Sequence, residues 1–291
     1  MRDLMILTKV PIAATSTLSA LSVYLLAGGG GGMGLAFLFA GVCLAAMGAS
    51  ALNEWQERDL DALMERTRRR PIPAGRISQS AALLLAVALV AAGLVLTWEV
   101  FGVLPAFLCL GAVFWYNAVY TPLKRLSAFA VVPGSVIGAI PPAIGWTAAG
   151  ADLLDARLAS LCFFFFLWQV PHFWLLLYRY GEEYERAGYP SLKKLLGKRG
   201  LARLTFVWLA TAAASVLLLP LFGAVLSPAS VWILGVAAMA LTAGSLPLLG
   251  DRPAPRVFRA AFAAVNLFAL LVMAALAAEP YWPGSLSLAL R

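Results

Sequence analysis

Nine stretches of roughly 20 mostly apolar residues recur along the chain, at about 10–27, 35–52, 79–98, 101–120, 128–149, 158–178, 204–225, 229–249 and 257–278. A helix of that length matches the hydrocarbon thickness of a bilayer. Backbone polar groups in lipid must be satisfied within the segment, which helices achieve. The expectation is an all-α integral membrane protein with nine transmembrane helices, a single transmembrane domain over 1–291. Composition agrees: 62% of the residues are hydrophobic and 12% charged, where soluble domains carry about 25% charged residues. Mean hydropathy is +0.86. A soluble enzyme and a disordered chain are both excluded.

Charge then sets orientation. With nine spans, the N-terminus and the loops 53–78, 121–127, 179–203 and 250–259 fall on one side and carry 20 of the 22 Lys and Arg residues. Only Arg157 and Arg291 fall on the other. The positive-inside rule puts the N-terminus and the long loops in the cytoplasm. The net charge of +8 is thereby explained by topology and needs no nucleic-acid partner. Met1 to Lys9 lacks the make-up of a signal peptide, so a bacterial plasma membrane is the expected location. Cys43, Cys109 and Cys162 lie far apart, with neither metal spacing nor a disulfide framework. His172 is the sole histidine. Gly29, Gly31 and Gly34 satisfy a dinucleotide fingerprint, but no strand precedes them.

Positive-inside placement does not require acids, yet Glu54, Glu57, Asp59, Asp61 and Glu65 crowd one cytoplasmic loop. If the second span continues as a helix, Asn53, Glu57, Asp61 and Glu65 form one stripe. Like charges at this spacing repel, a cost that a bound divalent cation removes. Carboxylates with an amide oxygen suit magnesium, which commonly binds through one or two carboxylates plus substrate phosphates. Arg66, Arg68, Arg69 and Arg70 follow, and guanidinium groups grip phosphate oxygens. The pattern reads either as a magnesium-diphosphate site or as a solvated loop whose acids pair with its arginines.

The Asn-x-x-x-acid-x-x-x-Asp pattern at the end of the second span resembles the first prenyl-diphosphate motif of the UbiA superfamily of intramembrane prenyltransferases. RDLDALMERTRRRPIPAGRIS is similar to that superfamily's protoheme IX farnesyltransferase branch. The resemblance implies a bundle around a central cavity open to the cytoplasmic side. It implies Asn53, Glu57 and Asp61 as magnesium ligands, with glutamate at 57 where the family usually has aspartate. Arg66 and Arg70 would bind diphosphate. Tyr120-x-x-x-Lys124 resembles the superfamily's Tyr-x-x-x-Lys motif, whose lysine contacts diphosphate; Lys124 and Arg125 join that set. By charge alone they also suit membrane anchors. Asp61, Asn53 and Lys124 are the candidate catalytic residues.

GSVIGAIPPAIGW matches the same branch. Its small residues Gly134, Gly138 and Ala139 permit close helix approach, and Pro141-Pro142 is expected to break the helix. Trp-Gln-x-Pro-His-Phe, at 168–173, also resembles that branch. Polar groups at membrane depth usually serve function, and the resemblance implies Gln169 and His172 as candidate haem-binding residues, His172 ligating or orienting the iron. Against this stands a plain hydrogen bond to a neighbouring helix. Glu182 and Glu183 are candidates for a second metal site by proximity. Asn266, in the last span, is read as helix glue. Lys9-Val10-Pro11, where the family has Lys-Pro-Arg, and Thr15-Ser16-Thr17 are assigned no role.

The implied reaction transfers farnesyl from farnesyl diphosphate to a haem B vinyl group, with magnesium as cofactor. Haem A synthase or a cytochrome oxidase assembly is the candidate downstream partner. An intramembrane prenyltransferase acting on a quinone or aromatic precursor competes, but the aspartate-rich second motif of those enzymes is missing. A non-enzymatic haem-handling or transport protein leaves the Asn53–Arg70 cluster unexplained.

Overall fold

The computed structural model describes residues 1–282, with the side chain of Arg179 excepted; Arg291 of the charge tally lies outside them. Among the described residues there is helix but no strand. Eight helices are long and apolar enough to cross a membrane. They are Met33–Asp61 (α2), Gln79–Phe101 (α3), Val103–Leu123 (α4), Val131–Ala148 (α5), Ala156–Arg186 (α6), Leu192–Leu221 (α7), Pro228–Leu249 (α8) and Pro255–Tyr281 (α9). Ahead of them, Val10–Leu26 (α1) is apolar and 17 residues long, about 25 Å at 1.5 Å per residue. The protein is a multi-pass membrane protein.

Helix starts follow from their caps. Ser78, Asp155, Ser191 and Ser227 each accept a backbone N–H of the first turn of α3, α6, α7 and α8, satisfying donors that would otherwise be orphaned. Gly102, at φ 88°, separates α3 from α4, a conformation glycine adopts without penalty. On the side away from the acidic loop, buried Glu279 accepts from the amides of Leu226 and Ser227 and from the Ser227 hydroxyl, each at 2.7 Å. It thereby ties the end of α9 to the start of α8.

Close packing relies on small residues. A Cβ on Gly93 of α3 would sit 2.6 Å from the Ala45 nitrogen and the Gly41 carbonyl of α2. A Cβ on Gly145 of α5 would overlap the Ala20 backbone of α1. Around these contacts a core of Trp146, Phe164, Phe165, Leu209 and Val265 fills the space between α5, α6, α7 and α9. Phe163, in the same aromatic run, is exposed.

Two expectations are corrected. Pro141 and Pro142 do not break α5: the helical segment Val136–Ala148 contains both, and the interruption falls at Ser135. A proline costs the bond its missing N–H would make, and packed membrane helices tolerate that loss. Helix α7 begins at Leu192 and is kinked at Gly197, and its later part overlaps the expected span 204–225. The acidic stripe ends at Asp61, because α2 stops there. The Thr67 hydroxyl donates to the Asp61 carbonyl as the chain turns away, leaving Glu65 exposed beside Arg68 at 3.7 Å.

Candidate active site

Helix α2 carries Asn53, Glu57 and Asp61 on one face, and all three are buried. Each meets a cation from a different part of the chain. Lys9 Nζ donates to Asn53 Oδ1 at 3.2 Å. Lys124 Nζ lies 2.6 Å from Glu57 Oε2. Arg70 Nη1 lies 2.6 Å from Asp61 Oδ2. The expected stripe is therefore a zip of three acceptors against three cations. Asn53 Nδ2 also donates to Glu57 Oε2 at 3.1 Å and to Thr121 Oγ1 at 3.0 Å, which fixes the orientation of its amide.

Helix α4 supplies the facing wall. Its segment Trp115–Tyr120 is a π-helix, a local widening found mostly at functional sites. Tyr116 and Tyr120 stack at 6.0 Å, and Lys124 Nζ sits 5.4 Å from the centre of the Tyr120 ring. Gly134 leaves room for that ring, since a Cβ there would clash with it. The Tyr189 hydroxyl, from the loop after α6, donates to Glu57 Oε1 at 2.8 Å.

Burial and charge shift these groups. Burial, then the positive charges of Arg70 and Lys124, bring the Lys9 ammonium down to about 7. Burial lowers Lys124 as well, opposed by the Glu57 charge. For Arg70, burial works against the guanidinium but Asp61 outweighs it, so the net shift is upward. Burial and the Glu57 charge raise Tyr189, which keeps it a donor. Glu54 is fully buried, and among the described residues neither carboxylate oxygen meets a donor in good hydrogen-bond geometry.

Among the described residues no three His, Cys, Asp or Glu side chains could hold a metal by themselves. Magnesium in general takes few protein carboxylates and completes its shell with phosphate and water. Glu57, Asp61 and the Asn53 amide oxygen are hard donors at this site, and Glu54 is a further buried carboxylate on the same helix.

The remaining expected residues spread outward. Arg66 is exposed; its backbone N–H donates to Glu183 Oε2 at 3.3 Å and its guanidinium lies over Tyr180 at 5.0 Å. Arg125 is exposed and donates to the Gln56 carbonyl at 2.7 Å. Glu182 is exposed and pairs with Lys193 at 2.7 Å. Glu182 and Glu183 thus engage different partners.

His172 and Gln169 lie deeper on α6. His172 Nδ1 is 2.9 Å from Asn266 Oδ1 of α9, and Trp168, Phe173 and Phe262 surround its ring at 5.1–5.6 Å. Gln169 Oε1 packs against Gly138. Phe173 meets Tyr120 at 6.1 Å. A continuous run of rings therefore connects Lys124 to His172.

Sequence reasoning missed Lys9, Thr121 and Tyr189. Lys9 is followed by Val10 and Pro11 where the family has Pro and Arg, and its left-handed backbone (φ 49°) has no sequence signature. Thr121 sits inside the Tyr-x-x-x-Lys motif as an unmarked position. Tyr189 meets Glu57 across 132 residues, a separation beyond any local pattern.

A family model described as the UbiA prenyltransferase family matches residues 15–268. A curated relative from Geobacter sulfurreducens, named Protoheme IX farnesyltransferase, is 48% identical over 197 residues, covering 68% of this chain and 73% of the relative. A digeranylgeranylglyceryl phosphate synthase structure superposes with a TM-score of 0.76 at 14% identity, covering 96% of this chain and 97% of that one. A UbiA homologue from Archaeoglobus fulgidus bound to GPP and Mg2+ gives 0.65 at 16%, covering 94% and 99%. At these identities the two structures speak to fold alone.

Proposed function

Because the chain belongs to the UbiA prenyltransferase family, we propose that it transfers farnesyl from farnesyl diphosphate to a vinyl group of haem B. Water adds in the same reaction, giving haem O and free diphosphate. The similarity to a relative named Protoheme IX farnesyltransferase carries this reading. The cation-faced stripe on α2 supports its diphosphate half.

A diphosphate leaves well only when its charge is neutralised. Lys9, Lys124 and Arg70 already sit at the stripe, so the incoming diphosphate takes them over from Asn53, Glu57 and Asp61. Arg66 and Arg125 are exposed at the same end and serve as outer contacts. Asn53, Glu57 and Asp61, released from the cations, would hold magnesium through hard oxygen donors, and magnesium held there would supply positive charge that helps neutralise the departing diphosphate.

The C–O bond breaks with its electron pair going to diphosphate. The haem vinyl group attacks the allylic cation to form the new C–C bond. Water then captures the cation left on the haem side chain and gives up a proton, which diphosphate accepts. Tyr120, beside Lys124, and Tyr116, stacked on Tyr120, offer π density that stabilises an allylic cation and shields it from premature water. Gln169 and His172 orient the haem further along the ring path. Glu182 and Glu183 stand beside the opening as a second acidic pair.

On this reading α1 spans with the other eight helices, giving nine around a cavity open to the cytoplasm. The protein sits in a bacterial plasma membrane with its basic loops inside. Haem A synthase or a cytochrome oxidase assembly receives the product. The test is to incubate detergent-purified protein with haem B, farnesyl diphosphate and magnesium and weigh the extracted haem by mass spectrometry. A gain of one farnesyl plus one water-derived hydroxyl is expected. Unmodified haem from protein that releases diphosphate with a quinone precursor overturns the choice of acceptor.

A further inference from the structure

The imidazole of His172 is held by one contact whose chemistry fixes its tautomer. Asn266 Nδ2 donates to the Phe262 carbonyl, one turn earlier on α9, at 2.6 Å. A carbonyl oxygen only accepts, so the amide nitrogen must face it and Asn266 Oδ1 must face His172. That oxygen also only accepts, so His172 Nδ1 carries the proton in the 2.9 Å contact. In the neutral ring the lone pair is then on Nε2, which has no hydrogen-bond partner among the described residues. The pair is braced by its neighbours: Trp168, one turn earlier on α6, donates from Nε1 to the Val265 carbonyl at 2.9 Å. Two adjacent residues of α9 thus grip two residues on one face of α6, leaving the imidazole little freedom to rotate.

We propose that Asn266 is a positioning residue that presents the His172 Nε2 lone pair to the iron of the porphyrin substrate. This rests on the haem reading above. A metal-bound histidine is typically oriented by a partner at its other ring nitrogen, and losing that partner typically costs about 10–100-fold in metal affinity. Helix glue alone would bind α6 to α9 without regard to which ring nitrogen is free.

Ferric protoporphyrin IX is titrated in detergent into the wild type, Asn266→Leu, Asn266→Asp and His172→Ala, each first shown to be monodisperse. Absorbance reads affinity and axial ligation, and the reduction potential of the bound haem is measured alongside. Asn266→Leu is expected to weaken binding about 10–100-fold and to alter the Soret band in the same sense as His172→Ala. Asn266→Asp keeps an acceptor for Nδ1, so it is expected to restore histidine ligation and to lower the potential through a stronger donor. If His172→Ala changes the spectrum while both Asn266 variants match the wild type, Asn266 has no positioning role. If His172→Ala leaves the spectrum unchanged, the iron contact itself is wrong. The mass-spectrometric assay on the wild type separates both outcomes from failure of the haem reading, because farnesylated haem forms in either case only if that reading holds.

Discussion

Replacing Tyr189 by Phe deletes one hydroxyl and keeps the ring that packs on Tyr184 at 5.2 Å. Among the described residues the hydroxyl is the only hydrogen-bond partner of Glu57 Oε1, at 2.8 Å, on a carboxylate that is 5% exposed. Oε2 keeps Lys124 and Asn53. A hydrogen bond to a charged group contributes about 1.5–3 kcal/mol, which is roughly 10–150-fold in an equilibrium constant. Loss of a group that orients a metal ligand typically costs about 10–100-fold in metal affinity, so the two routes agree. The prediction concerns the magnesium dependence of turnover: half-maximal rate in Tyr189→Phe should need about 10–100-fold more magnesium, with most of kcat recovered at saturation. The assay is haem product formation across a magnesium series, with the thermal midpoint in the same detergent reporting fold integrity. An unmoved magnesium curve in a folded variant refutes Tyr189 as the orienting partner of a metal-binding Glu57. A reduced kcat that no magnesium concentration restores gives the residue a different role.

Asp61→Asn should lower turnover by at least about 10²–10³-fold while the protein still inserts and purifies as a single species, because the amide retains an acceptor for Arg70; near-wild-type turnover in such a preparation removes Asp61 from the site. Gly145→Ala places a methyl on the Ala20 backbone and should destabilise by about 1–3 kcal/mol, seen as a lower thermal midpoint; an unchanged midpoint means that α1 and α5 separate at little cost. Glu279→Gln sets an amide against three donors and should cost about 1–3 kcal/mol with kcat for the remaining folded protein unchanged; a fall in kcat at equal stability would connect that far end to catalysis.

The helical membrane class and the acidic face of α2 were legible because each is a local pattern. Apolar length marks a span, and a four-residue spacing marks a helix face. The partners of that face were legible only where they sit in a compact motif, as Lys124 does. Lys9 and Tyr189 reach the stripe from sequence separations of 44 and 132 residues, and spacing rules carry no information at that range. The placement of Pro141 and Pro142 failed for a related reason. Their intrinsic cost was read correctly, but the neighbouring helices that make it tolerable are tertiary facts. Asn266 was read as glue, which its bond to another helix bears out; what the sequence withheld was the identity of its partner.

The span from Glu57 to Tyr189 also sets a clock for the newborn chain. At about 5–20 residues per second, the 132 residues between them take roughly 7–26 s to synthesise. Glu57 is therefore in place well before its last partner has been made. For that interval Oε1 lacks the Tyr189 donor. Translation-arrested chains ending before this loop should bind magnesium less tightly than the finished protein, so maturation of the site would lag behind insertion of the helix that bears it.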